Sequence, residues 1–149
     1  MKRLIGFMVI FMLAMFLAAC SDESETRTFE MEQNGIETTM VYTVKGDKVT
    51  KQTTENIIKY DSAGITSKEQ AEELLNPIIQ EFQNIEGLTH TIEYEDSQAI
   101  ETLAIDYEVV NFDDIKNLPG MNFNGDTDNG VSMKKSLEIL ETQGFKEVK

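Results

Sequence analysis

Few side chains in this sequence could do chemistry, and the first is its single histidine, His90. It lies in the alternating run Leu88, His90, Ile92, Tyr94, where a catalytic role would make it a general base beside Glu93 or a carboxylate of the preceding strands. No Ser or Cys motif supplies a nucleophile beside it. An inward His between Leu88 and Ile92 is expected instead to be packed and hydrogen-bonded at a sheet margin. Acids are plentiful, with 27 Asp and Glu in the chain and the close pairs Glu72-Glu73, Glu93-Glu95 and Asp113-Asp114. At that abundance adjacent acids are expected on solvated faces, whereas carboxylate-pair hydrolysis needs two of them across a cleft. The segment Asn124-Gly125-Asp126-Thr127-Asp128-Asn129-Gly130 sets side-chain oxygens at alternate positions, as calcium loops do. Counted from Asn124, however, Asn129 and Lys135 stand where an EF-hand requires Gly and Glu. A long Asn/Asp/Gly turn explains residues 124–130 equally well. One histidine and one cysteine are too few for a transition-metal site, so no cofactor is expected.

Cys20 is the only cysteine, so the fold can contain no intramolecular disulfide. Its surroundings give it another use. Met1-Lys2-Arg3 is a positive start, Leu4 to Leu17 is an uncharged apolar run, and Leu17-Ala18-Ala19-Cys20 is followed by the polar stretch Ser21-Asp22-Glu23-Ser24-Glu25. The order is that of a secretory signal peptide, and the run falls short of the roughly 20 apolar residues of a spanning helix. Leu17-Ala18-Ala19-Cys20 resembles the bacterial lipobox, in which the thiol receives diacylglycerol and a peptidase cuts ahead of it. Ala19 and Cys20 would flank that cut, with small residues letting the scissile segment lie extended in a protease groove. A diacylated Cys20 would hold the chain firmly to a bilayer, where one acyl chain binds only marginally.

Removal of residues 1–19 takes away Lys2 and Arg3 and no acid, leaving 11 basic residues, 27 acids and a formal charge of −16. That field repels nucleic acid and anionic headgroups, which excludes nucleic-acid partners held by charge. The 130 residues from Cys20 onward suffice for one domain and are too few for a two-lobed solute-binding protein.

The elements that would carry these residues follow from periodicity. Residues 20–26 read as the lipidated Cys and a flexible tether, and residues 27–149 as a single domain. Asn34-Gly35 is a type I′ hairpin signal between alternating runs, and Gly46-Asp47 makes a second turn into Lys48–Tyr60. Together they predict a three-stranded meander, with Thr38, Thr43, Thr50 and Thr53 on its solvated face. After Asp61-Ser62-Ala63-Gly64 the period lengthens. Overlapping capping boxes at Thr66 and Ser67 precede Ala71, Leu74, Leu75, Ile78, Ile79 and Phe82 at helical spacing, with a kink expected near Pro77. Period two returns from Leu88 to Tyr94 and, beyond Asp96-Ser97-Gln98, through Leu103, Ile105, Tyr107 and Val109. A short turn of helix is expected from Asp113 to Leu118, then a polar loop to Gly130. Ser132 caps a final helix ending at Gly144, with Phe145 folded back on its last turn. The predicted order is β-β-β-α-β-β-α, an α+β two-layer domain with a mostly antiparallel sheet and helices on one face.

Several stretches carry a family likeness: Glu32-Gln33-Asn34-Gly35, Lys45 through Thr53, Ala99 through Tyr107, and Gly130 through Ser136 with Gln143-Gly144-Phe145. Across nearly the whole chain after Cys20 they resemble the YehR-like family of small bacterial lipoproteins. The resemblance implies an envelope location and an α+β fold, and it supplies no catalytic residues. The expectation is therefore a lipoprotein on the extracytoplasmic face of the cell membrane, anchored in the bilayer through acylated Cys20. Its domain would be a non-enzymatic module for an envelope protein or small ligand. A groove lined by Tyr42, Tyr94 and Tyr107 would favour that reading. The alternative is a small envelope hydrolase using carboxylates and His90, which converging acids in a cleft would favour.

Overall fold

The computed structural model describes residues 23–121 and 130–148. Asn34 and Gly35 both take left-handed backbone (φ 55° and 77°), as a type I′ turn requires, and fold β1 (Ser24–Gln33) onto β2 (Ile36–Lys45). Gly35 has a second reason to be glycine: a Cβ there would lie 2.4 Å from the Cβ of Ser62. Gly46 turns β2 into β3 (Lys48–Lys59), and the meander is joined by the hairpin of β4 (Leu88–Tyr94) and β5 (Gln98–Asp106). β3 pairs with β5, giving the order β4-β5-β3-β2-β1, and every pairing among the described residues is antiparallel.

Short elements complete the domain. A single helical turn, α1 (Tyr60–Ala63), ends at left-handed Gly64 and precedes α2 (Lys68–Glu81). Ser67 caps α2 by accepting the Gln70 amide, and the Gln70 side chain in turn accepts from the amide and hydroxyl of Thr66. One turn of helix, α3 (Phe112–Ile115), follows β5; β6 (Val131–Ser132) pairs with the start of β3, and α4 (Met133–Gln143) follows. The β2–β3 turn anchors α4. Asp47 accepts from the Ser132 hydroxyl and the Lys134 amide at 2.7 and 2.8 Å, and these hydrogen bonds hold its carboxyl below the usual carboxylate range. Phe145 folds back as expected, its amide bonding Leu140 across left-handed Gly144.

The α+β two-layer class holds, with helices over one face of the sheet, and several details differ from expectation. β5 ends at Asp106, so residues 107–109 form a turn that leaves Val109 exposed. β1 begins at Ser24 rather than Arg27, because Ser24–Thr26 pair with Thr43–Lys45 of the long β2. A closing strand, β7 (Lys146–Val148), pairs with Thr28–Glu30 of β1, and three exposed residues were too short a run to show alternation. Thr38 and Thr50 are buried, not on the solvated face with Thr43 and Thr53. Thr38 has the parity of Met40 and Tyr42. Thr50 is the extra residue of a bulge, where Thr43 opposes Lys51 but Val44 opposes Val49. α2 continues helically through Pro77 to Glu81.

Burial divides into two clusters. Phe29, Tyr42, Val44, Val49, Ile105, Tyr107, Met133 and Leu140 pack beneath α4, and Ile58, Tyr60, Ala71 and Ala99 pack beneath the start of α2. The inner face of the sheet between them is polar.

Candidate functional site

Strand register puts that polar band together. Across the inner face, Thr38 of β2 opposes Asn56 of β3, which opposes Glu101 of β5; one step along, Thr54 opposes Leu103, which opposes His90 of β4. The Thr38 hydroxyl donates to Asn56 Oδ1 at 2.7 Å, Asn56 Nδ2 donates to Glu101 Oε2 at 2.7 Å, and His90 Nε2 meets Glu101 Oε1 at 2.6 Å. Beside this chain, the Tyr107 hydroxyl donates to Gln52 Oε1 at 2.7 Å and Gln52 Nε2 donates to Thr54 at 3.0 Å. Burial pushes the Tyr42 phenol up to about 12 and raises that of Tyr107 as well, so both stay protonated near neutral pH.

Above the band lies a cleft of about 730 Å³, within the range of small-molecule sites. Thr38, Gln52, Thr54, Asn56 and Glu101 form its floor. Met31, Met40 and Leu103 rise from the sheet, Ile78 and Phe82 from the last turns of α2, and Phe145 and Gln143 from the end of α4, with Pro119, Gly120 and Met121 closing one side. The walls are mostly apolar, with Gln33 and Gln143 at the rim, and the floor converges hydrogen-bonding groups, the composition expected of a ligand pocket. Glu101 is the one charged side chain among these residues.

The residues singled out by sequence are placed as follows. His90 is 5% exposed, as a packed sheet residue should be, and its ring lies 4.5 Å from that of Phe82. Its partner is Glu101; Glu93 is exposed, its odd number placing it on the opposite face of β4. Asp113 and Asp114 are exposed on α3, and Glu95 is exposed beyond β4. Of the three tyrosines expected to line a groove, Tyr42 and Tyr107 lie in the core and border a smaller annex of the cleft with Gln52 and Met121. Tyr94 instead donates to Asn76 of α2 at 3.0 Å. The groove is therefore walled by methionine, leucine and phenylalanine, and one carboxylate converges on it. Among the described residues no group of acids, His and Cys is arranged to hold a metal, and no helix is long and apolar enough to cross a membrane. The Cys20 motif and residues 124–129 of the cation loop lie outside the described residues.

An antiparallel sheet roofed on one face by helices, with a cleft between them, makes a small α+β domain of a kind found in relatives that are named lipoproteins. The chain belongs to the family described as protein of unknown function DUF1307, whose model matches residues 25–146. It is 49% identical to the uncharacterized lipoprotein Lin0239 of Listeria innocua over 148 residues, covering 99% of this chain and 97% of the relative. It is 36% identical to the uncharacterized lipoprotein YehR of Escherichia coli, with the same two coverages. The NMR structure of YehR superposes with a TM-score of 0.75 over 87% of this chain and 94% of that one. An NMR structure from Streptococcus pneumoniae, 14% identical with a TM-score of 0.59 over 99% of each chain, shares the fold.

Proposed function

We propose that this chain is a lipid-anchored module on the extracytoplasmic face of the cell membrane, and that the cleft over the polar band is where it binds a small ligand without turning it over. The signal peptide, residues 1–19, is cut between Ala19 and Cys20, and acylated Cys20 enters the bilayer; the lipobox pattern and the lipoprotein relatives support this. The observation that carries the binding reading is the pairing of a polar floor with apolar walls in a cleft of about 730 Å³. A stability-driven sheet face under helices would be filled with aliphatic side chains. This one keeps Thr38, Asn56 and Glu101 in one hydrogen-bonded chain and Gln52 and Thr54 in a second, both lining a cavity.

With β1 starting at Ser24, only Ser21 to Glu23 separate the acylated residue from the sheet. At no more than about 3.5 Å per residue, the domain begins within roughly 14 Å of Cys20.

Native mass spectrometry of the acylated protein released from its own membranes tests both halves. The expected result is a diacylated Cys20 and a non-covalent adduct that is lost in Met31→Trp, which fills the cleft from its rim. An unmodified Cys20 overturns the anchoring, and identical adduct patterns in both proteins overturn the cleft.

A further inference from the structure

We infer that the cleft selects an amphipathic cation: an apolar body carrying one ammonium or guanidinium group that meets Glu101. This rests on the reading of the cleft as a ligand site and names the ligand's chemistry. The first observation is the charge inventory of the lining, which among the described residues contains Glu101 and no Lys or Arg. An anionic ligand, whether carboxylate or phosphate, would be buried against a carboxylate with no cation in the described lining to offset it, which disfavours its binding.

The second observation is how Glu101 is held. His90 Nε2 and Asn56 Nδ2 take one lone pair on each carboxylate oxygen, and a carboxylate offers about four such sites. Two therefore remain for a ligand, on a side chain whose position is already fixed. Among the described residues His90 Nδ1 is buried without a hydrogen-bond partner, while Nε2 faces Glu101 Oε1.

The third observation is the wall. Met31, Met40, Phe82 and Phe145 present polarizable sulfur and aromatic surface, which suits an apolar body next to a cation. Thr54 and Gln52 each keep an N–H or O–H beyond those used in the network, and these can bond a second polar atom on the ligand.

The test uses the acylated mature protein in nanodiscs of zwitterionic lipid, with methyl-labelled methionine. Beyond Cys20 the methionines are Met31, Met40 and Met121, which line the cleft, and Met133, which is buried in the core beneath α4. Phenylbutylamine, phenylbutanol and phenylbutanoate share one apolar body and differ in head group. The expected result is saturable movement of the Met31, Met40 and Met121 resonances, with Met133 unmoved. The amine should bind at least about tenfold more tightly than the alcohol, and the carboxylate most weakly. In Glu101→Gln the amine and the alcohol should converge. Equal binding of amine and alcohol in the wild-type protein, or preference for the carboxylate, overturns the cation and leaves the cleft standing as a site. Failure of all three to move the cleft methionines overturns both readings.

Discussion

His90 Nε2 stands 2.6 Å from Glu101 Oε1 on the neighbouring strand, joining a ring packed against Phe82 to the carboxylate at the floor of the cleft. His90 is 5% exposed, while the Glu101 side chain is 21% exposed and reaches the cleft.

Glu101→Leu removes the acceptor of both His90 Nε2 and Asn56 Nδ2 and leaves them against an apolar side chain. The expected cost is about 1–3 kcal/mol, the penalty for a stranded buried partner, measured as a fall in the urea midpoint at unchanged slope. Glu101→Gln keeps one acceptor and should cost less. An equal loss in the two variants would mean that the hydrogen bonds contribute little.

Asp47 ties the β2–β3 turn to the first turn of α4 through Ser132 and Lys134. Asp47→Ala is expected to cost about 1 kcal/mol, as losing a helix cap does. The folded carboxyl titrates below its ordinary value of 3.8, so its contribution is complete above that value and is lost as pH falls through the lowered one. Acid unfolding of the variant, followed by circular dichroism, should therefore lose part of its pH dependence below pH 4 and none near neutrality.

Gly35→Ala forces a Cβ to 2.4 Å from Ser62 in backbone of positive φ. It should destabilise by more than the roughly 1 kcal/mol usual for an exposed turn glycine, since α1 must also move. Gly46→Ala, also at positive φ but with open space around it, is the control and should cost only the backbone term. Thermal melts of the two distinguish clash from strain.

Cys20→Ala should leave the signal uncut or release the protein from membranes, as fractionation would show. A variant still membrane-bound in processed form would refute anchoring through Cys20.

The strand order of the meander, the helix over Ala71 to Phe82 and the Gly144 stop were legible because each rests on local signals: Asn34-Gly35, the Ser67 cap and period 3.6. The cleft was not legible, because it is made by register between strands far apart in sequence. One clue was present. Glu101 shares the parity of Leu103 and Ile105, and Gln52, Thr54 and Asn56 share that of Ile58, so polar residues occupy the inward stripe of two strands. Polar residues in an inward stripe mark a floor that meets something other than the core. His90 was placed correctly as packed, but its partner lies eleven residues away across a hairpin, and the nearer Glu93 faces the other way.

The account turns on whether the cleft takes ligand. The most direct measurement is the methionine-methyl spectrum of the acylated protein, titrated with an organic-soluble extract of the membranes in which it resides. The account predicts that Met31, Met40 and Met121 shift together and saturate while Met133 stays fixed, and that Met31→Trp abolishes the response. Saturable shifts confined to residues outside the cleft, or none at Met31, Met40 and Met121, would contradict it.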